Sequence, residues 1–371
     1  MKILFAGGGT GGHLYSAIGI AEEFLSQGPG REVLFVGTQY GLEKEIVPKN
    51  GYRLEFIPVK PLKGRGILDR LKSLIQIPYS LWKSFLLLRK EKPDLVFGIG
   101  GYASGPVTLM AHFMGIKTAV IDQNSIPGIT NRILGKFVDH VFVCFEKAKS
   151  FFNPKKVYLS GNPVRRSFLL SLRATEGSVA ISQVHSWDRH VANAPRDDKP
   201  FTLLVLGGSQ GARSINQAVL EASTQLANVR IFHQSGKADY EWVKKAYEEK
   251  GVKAEVFDFV HNIHELYQQA DLILCRAGAG TICEIEILGK AAIYVPYPFA
   301  ADDHQRFNAE EVVSKGAGKM ILNSELNPER LTNEIKALMN HPEALEEIRQ
   351  NVQKLAKPRA AREILEKCGI F

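Results

Sequence analysis

Twice in this chain a short apolar run stops in a glycine-rich loop and gives way at once to helical periodicity. The first case is Ile3–Ala6, then Gly7-Gly8-Gly9-Thr10-Gly11-Gly12-His13, then Ala17, Ile18, Ile20, Ala21 and Phe24 at the spacing of one helix face. The second is Thr202–Leu206, then Gly207-Gly208-Ser209-Gln210-Gly211-Ala212-Arg213, with a helix beginning near Ser214. Glycine lets main-chain N–H groups approach an anion closely, and the helix N-terminus adds partial positive charge there. Ser209 adds a hydroxyl to the second loop, and His13 stands at the mouth of the first as its only titratable side chain. Taken alone, the first loop has a plainer alternative, a glycine-rich turn with a solvated histidine. It is neither of the familiar phosphate loops: the Lys-Ser/Thr pair of a P-loop is missing, and the second strand, Val33–Val36, ends at Gly37-Thr38 with no acidic residue placed to hold a ribose.

Around these loops, β-branched runs alternate with helical stretches along the whole chain. One set of strand candidates is Ile3–Ala6, Val33–Val36, Leu95–Gly98, Thr118–Ile121, His140–Val143 and Lys156–Leu159. A second is Thr202–Leu206, Arg230–Gln234, Ala254–Asp258, Leu272–Cys275, Ala292–Val295 and Met320–Leu322. Helices between sequential strands imply parallel sheets, and 371 residues exceed one comfortable core, so the expected fold is α/β with two doubly wound units. The expected division is 1–165, a linker or insertion over 166–200, 201–340, and C-terminal helices over 341–371 that return toward the first domain. The polar, aperiodic stretch from Arg173 to Pro200 is the best linker candidate. A third loop, Arg276-Ala277-Gly278-Ala279-Gly280-Thr281, follows Leu272–Cys275 and opens a helix carrying Glu284. A carboxylate there is either a surface residue favoured by the helix dipole or, facing a ligand, an acceptor for both hydroxyls of a ribose.

Charge is distributed unevenly. Residues 1–160 carry 21 Lys and Arg against 12 Asp and Glu, and the remainder carries 26 against 27. Much of the excess lies between Lys60 and Lys92, where basic residues including Lys72 and Lys83 are interleaved with Ile75, Trp82, Phe85 and other large apolar side chains. That mixture suits an anionic membrane surface, or else an apolar core face beneath a solvated basic one. Nucleic acid is the weaker partner, because no nucleic-acid motif accompanies the charge. No apolar stretch approaches the ~18 residues needed to span a bilayer, and Met1 leads directly into the first strand, so no signal peptide is expected. Cys144, Cys275, Cys283 and Cys368 lack metal-ligand spacing and read as reduced thiols.

Eight stretches, in order, resemble the MurG-type glycosyltransferases: Gly8–His13, Gly100-Gly101-Tyr102-Ala103-Ser104-Gly105-Pro106, Asp122-Gln123-Asn124, Gly161-Asn162-Pro163-Val164-Arg165, Gly207–Ala212, His233-Gln234-Ser235-Gly236, Cys275-Arg276 with Thr281 and Glu284, and Asp302-Asp303-His304-Gln305 with Asn308-Ala309. The resemblance implies a GT-B fold, two Rossmann-like domains facing a cleft, the first binding a lipid acceptor and the membrane and the second the UDP-sugar donor. It implies inverting transfer of N-acetylglucosamine from UDP-N-acetylglucosamine to undecaprenyl-pyrophosphoryl-muramoyl-pentapeptide (lipid I), giving lipid II, with no cofactor and no metal. Carried over by position, Ser209 and Arg165 would contact the donor diphosphate and Glu284 the ribose. Main chain at Val260 and from Ala279, Gly280 and Thr281 into Ile282 and Cys283 would hold uracil and phosphates. His304 and Gln305 would read sugar hydroxyls, and Asn124 would reach the donor from the other domain. Thr10, Gly11 and Gly12 would line a diphosphate, Gly101 and Tyr102 the acceptor, and His13 would be the general base.

Three positions depart from that pattern. Asp122 stands where the family usually has Glu, Ala277 replaces a common Ser, and His304 stands where some members have Gln. The implied location is peripheral, on the cytoplasmic face of the inner membrane, with cell-wall synthesis and division proteins as partners. Two other readings share the glycine cradles: another GT-B enzyme (a sugar-nucleotide epimerase or a transferase with a different lipid acceptor), and a non-enzymatic nucleotide-binding scaffold.

Overall fold

The computed structural model describes residues 1–59, 67–170, 200–208, 211–260 and 262–371, with residues 67–76 as helix backbone only. Apart from Pro200, the linker candidate 173–200 lies outside the described residues, as do Ser209 and Gln210. Two compact units result, Met1–Arg166 with Lys357–Phe371, and Ser167–Ala356. The helix Pro342–Leu355 stays with the second unit, and the chain rejoins the first only at Lys357.

In the first unit β1 (Lys2–Gly7), β2 (Glu32–Gly37), β3 (Arg53–Phe56), β4 (Leu95–Gly100), β5 (Lys117–Asp122), β6 (His140–Val143) and β7 (Val157–Leu159) form one sheet in the order β3-β2-β1-β4-β5-β6-β7. Every pairing is parallel. Apolar runs without polar alternation produce this, because both sheet faces are covered. Ile3, Phe5, Phe35 and Phe97 enter the core beneath the helices Gly11–Ser26 and Ala360–Lys367, whereas Leu4, Ala6, Leu34 and Val96 enter the opposite core, beneath Ser104–Phe113. The edge strand β3 was not among the expected strands. Its alternating Arg53 and Glu55 reach solvent, so it lacks the continuous apolar signature of its neighbours.

The helix Ile67–Glu91 buries an unusual face. Ser80, Ser84, Leu88 and Glu91 are buried, whereas Ile77, Tyr79, Trp82 and Leu86 are exposed. Ser80 donates to the Pro58 carbonyl at 2.7 Å, and Ser84 to the Ser80 carbonyl at 2.7 Å. Glu91 closes the helix against the sheet, accepting from Arg53 at 2.7 and 3.1 Å and from Lys2 at 3.0 Å. The Arg53 guanidinium, followed by Lys2, holds its carboxyl down at about 2.

The second unit repeats the winding. Strands β8 (Phe201–Leu206), β9 (Val229–Gln234), β10 (Ala254–Phe257), β11 (Leu272–Cys275), β12 (Ala291–Tyr294) and β13 (Lys319–Met320) are parallel in the order β10-β9-β8-β11-β12-β13. Two parallel doubly wound sheets of this kind constitute the GT-B architecture. In both sheets the strand order reverses beside the first strand, and open α/β sheets bind ligands outside the carboxyl ends of the strands at that point.

A polar network lies buried beneath the β8 loop. Asn216 gives its amide protons to Ser235 O at 3.0 Å and Asp239 Oδ2 at 2.9 Å, which turns its Oδ1 toward His233 Nε2 at 3.0 Å. His233 Nε2–H therefore donates, and Nδ1 accepts from the Tyr247 hydroxyl at 2.9 Å. Burial pushes this imidazole down to about 3. Between pH 6.5 and 3 the unfolded state thus binds a proton that the folded state refuses, so this residue's stabilisation is present above pH 6.5 and lost as pH falls. Urea unfolding should show a component approaching ~1.4 kcal/mol per pH unit below 6.5. His233→Gln should flatten that component, and an unchanged slope in the variant would assign it elsewhere.

Candidate active site

Where the first sheet's order reverses, the loops after β1 and β4 interlock. Gly8 N donates to Gly100 O at 3.1 Å. A Cβ on Gly7 would run into the Gly100 carbonyl, and one on Gly101 would lie 2.6 Å from Gly8 O. His13 sits on this junction in the first turn of its helix, its ring packed where a Gly100 side chain would be. Its Nδ1 lies 3.1 Å from Gly8 O, so Nδ1–H donates and Nε2 keeps a lone pair. Desolvation lowers the imidazole's pKa below its usual 6.5, against smaller opposing effects of the Gly8 carbonyl and Glu43. The first amide bonded within the helix is Leu14, to Thr10 O, so the amides of Gly11, Gly12 and His13 open the helix in the manner of an anion site. Gly101 and the exposed Tyr102 flank the same junction.

Glu43 organises this loop and was not singled out in the sequence. It is buried, and its carboxylate accepts from Gly9 N at 2.8 Å, Thr38 N at 2.8 Å and Thr38 Oγ1 at 2.9 Å. Side chains at Gly8, Gly37 or Gly41 would collide with it. An acid therefore does follow the second strand, but it points into the loop backbone and takes up one of the amides expected for an anion. Its only sequence signal is its place after a glycine-flanked turn.

Asp122 is likewise consumed structurally. It accepts from Asn124 N at 3.0 Å, Gly128 N at 3.1 Å and Asn131 Nδ2 at 2.9 Å, holding the loop that presents Asn124. The segment after β7 runs along the first helix. Ser16 donates to Asn162, a Cβ on Gly19 would lie 2.7 Å from Val164 O, and the Arg165 guanidinium covers the Tyr15 ring at 4.5 Å. His13, Arg165 and the Gly101-Tyr102 loop thus belong to the first unit.

The second unit assembles a corresponding group. Gly207 N donates to Gln234 O at 3.1 Å, and Gln234 in turn reaches Gly208 O through Nε2 at 3.4 Å and accepts Val260 N at 3.1 Å. Gln234 therefore sets the main chain at Val260. On the helix Ala279–Leu288 the first internal bond is Ile282 N to Gly278 O, leaving the amides of Ala279, Gly280 and Thr281 to open it. The side chains of Ala279, Ile282 and Cys283 are core, so only their backbone can face a ligand. Glu284, half-buried one turn in, accepts from the Tyr267 hydroxyl at 3.2 Å.

Arg276 ties the neighbouring loops together. Its guanidinium donates to Val295 O and Pro296 O at 3.1 Å, Asn323 Oδ1 at 2.9 Å and Ser214 Oγ at 2.9 Å. Asn308 reaches Ala277 O at 3.2 Å, bringing the helix His304–Val313 to the same loop. His304 Nδ1 lies 2.7 Å from Ala301 O, and Gln305 Oε1 accepts Tyr297 N at 3.0 Å. The turn before them holds Asp302 and Asp303 at φ +52°, left-handed backbone for two successive non-glycine residues. Ser209 lies outside the described residues, as do the side chains of Lys72 and Ile75; Trp82 is exposed and stacks on half-buried Phe85 at 5.6 Å, and Lys83 is exposed. Among the described residues no three His, Cys, Asp or Glu side chains are grouped to hold a metal ion.

Two doubly wound units with paired glycine loops at their switch points match, in order, the N-terminal domain of glycosyltransferase family 28 over residues 3–143 and its C-terminal domain over 202–364. A protein from Myxococcus xanthus named UDP-N-acetylglucosamine–N-acetylmuramyl-(pentapeptide) pyrophosphoryl-undecaprenol N-acetylglucosamine transferase is 44% identical over 372 residues, covering 99% of this chain and 92% of its own. The chain belongs to that transferase family. The crystal structure of MurG from Acinetobacter baumannii superposes with a TM-score of 0.78 at 27% identity, covering 100% of this chain and 99% of that one. A UDP-GlcNAc 2-epimerase from Neisseria meningitidis, with a TM-score of 0.69 at 17% identity and full coverage of both chains, shares the fold.

Removing the Glu43 carboxylate strands the buried Thr38 amide and hydroxyl and takes the acceptor from Gly9 N. Glu43→Ala should therefore destabilise the protein by about 2–4 kcal/mol in chemical denaturation. A cost under about 0.5 kcal/mol would mean that water replaces the carboxylate.

Proposed function

We propose that the protein transfers N-acetylglucosamine from UDP-N-acetylglucosamine to lipid I, forming lipid II. The full-length relation to transferases named for this reaction carries the reading. In the proposed step the acceptor hydroxyl attacks the anomeric carbon opposite UDP, its proton passes to His13 Nε2, and the bond to UDP breaks with both electrons leaving on the diphosphate. The configuration inverts, giving a β-linkage. The Nδ1 bond to Gly8 supports the base assignment, because it leaves Nε2 as an acceptor. Main-chain amides at Ala279–Thr281 and the Arg165 guanidinium would stabilise the departing diphosphate electrostatically, in place of a metal. Glu284 would accept from the uridine ribose, Val260 would hold uracil through its main chain, and His304 and Gln305 would read the sugar. Sugar transfer from labelled UDP-N-acetylglucosamine to lipid I tests the reading. His13→Ala should lower kcat by about 10²-fold or more. Because desolvation lowers the His13 pKa, the acidic limb of wild-type kcat/KM should lie below pH 6.5, and an acidic limb centred above pH 7 would exclude His13 as the base.

We also infer that the helix Ile67–Glu91 docks the protein on an anionic membrane surface. Its reversed amphipathicity supports this: serines face the core, while Tyr79, Trp82 and Leu86 share the outer face with Lys83, Arg89 and Lys90. Exposed Phe113, Ile129 and Ile133 lie on two further helices packed in succession beside it. No helix among the described residues is long and apolar enough to cross a membrane. Each basic residue near such a surface contributes about 1 kcal/mol, weakened by salt. Lys83→Glu with Arg89→Glu should reduce co-sedimentation with phosphatidylglycerol vesicles about tenfold or more, while turnover on a water-soluble acceptor persists. Vesicle binding indifferent to both charge reversal and salt would refute the surface.

A further inference from the structure

The peptide group between Gly8 and Gly9 takes part in two hydrogen bonds at once. Its N–H, on Gly9, donates to Glu43 Oε2 at 2.8 Å, and its carbonyl, on Gly8, accepts from His13 Nδ1 at 3.1 Å. The N–H and C=O of a trans peptide point in opposite directions, so Glu43 and His13 lie at opposite edges of one amide. Carboxylate, peptide and imidazole form a continuous chain. The carboxylate end is fixed from outside the loop. Glu43 Oε1 accepts from Thr38 N at 2.8 Å and Thr38 Oγ1 at 2.9 Å, and Tyr40 N approaches Thr38 Oγ1 at 3.4 Å, leaving the hydroxyl proton for Glu43. A Cβ on Gly8 would lie 2.5 Å from Glu43 Oε2, so only glycine lets the carboxylate come this close to the peptide.

Hydrogen bonds in a chain polarise one another, and more so where water is excluded, as it is from buried Glu43. An anion at the Gly9 N–H shifts electron density toward the Gly8 oxygen, which becomes a stronger acceptor for Nδ1–H. A stronger acceptor there holds the tautomer and raises the basicity of Nε2. We propose that Glu43 is a positioning residue for the transfer step: acting through the Gly8–Gly9 peptide, it keeps Nε2 of His13 as the acceptor and stabilises the imidazolium formed when the acceptor hydroxyl gives up its proton. No proton crosses the peptide, whose N–H stays on Gly9 throughout. Of the other titratable side chains nearby, Tyr102 is exposed and Arg165 lies over the Tyr15 ring at 4.5 Å. Desolvation lowers the proton affinity of His13, and the Glu43 charge opposes that in part. The inference rests on the reading of His13 as the base and goes beyond it, because it assigns part of that basicity to a carboxylate one peptide away.

The test measures kcat and the pH dependence of kcat/KM in the wild-type enzyme, Glu43→Gln, His13→Ala and the double variant. Glutamine keeps the size and one acceptor oxygen, but it places an NH2 group where the other oxygen stood and carries no charge. Without the negative charge the imidazolium is harder to form, so in Glu43→Gln the acidic limb should lie about 0.5 to 1 pH unit lower than in the wild type. Its kcat should fall about tenfold, with little change in KM. The position of the limb does not depend on how much of the enzyme is active, so it stays readable if the variant has a lower Tm. In the His13→Ala background, Glu43→Gln should cost about twofold or less. If His13→Ala keeps the acidic limb at its wild-type position, the base reading fails and the inference with it. If His13→Ala removes the limb but Glu43→Gln leaves it in place, or lowers kcat equally with and without His13, the base reading stands and Glu43 only braces the loop.

Discussion

At the switch point of the first sheet, two backbones approach more closely than any side chain allows. Gly7 abuts the Gly100 carbonyl, Gly101 abuts Gly8, and Gly8 N bonds to Gly100 O. That approach fixes Gly8 O, which in turn fixes the tautomer of His13. Glu43 then fills the space that the missing side chains of Gly8, Gly37 and Gly41 leave. The catalytic candidate thus depends on a chain of contacts in which each glycine is required by its neighbour rather than by flexibility.

The two units brace their glycine loops with different groups. In the first, a buried carboxylate braces the glycine loop. In the second, an amide does so: Gln234 spans the loop and Val260, over the Asn216, His233 and Tyr247 network that Asp239 anchors. The four hydrogen bonds of Arg276 all go to neutral oxygens, so its charge is not cancelled by a carboxylate among them. Burial lowers its pKa, yet an arginine remains protonated.

Much of this was legible in the sequence for a specific reason. Central parallel strands are apolar on both faces, so runs such as Leu272–Cys275 declare themselves, and glycine loops mark their ends. Strand β3 was not legible because an edge strand needs only one inward residue in two. Glu43 escaped notice because a buried carboxylate looks, in sequence, like any helix-starting acid. The basic apolar segment was legible only as a pair of alternatives. Which face it buries is decided by the tertiary bonds of Ser80 and Glu91 and is invisible to periodicity alone.

The last helix carries a further consequence. Ile364, Leu365, Cys368 and Ile370 complete the core that begins with Ile3, Phe5 and Ile18. The second unit is therefore spliced into the first, and Gly161 at its departure lies against Lys357 at its return. During synthesis the N-terminal sheet emerges first but lacks part of its hydrophobic cover until the segment after Lys357 has been made. The unit begun earliest is thus the one whose core takes its last residues from the far side of the other.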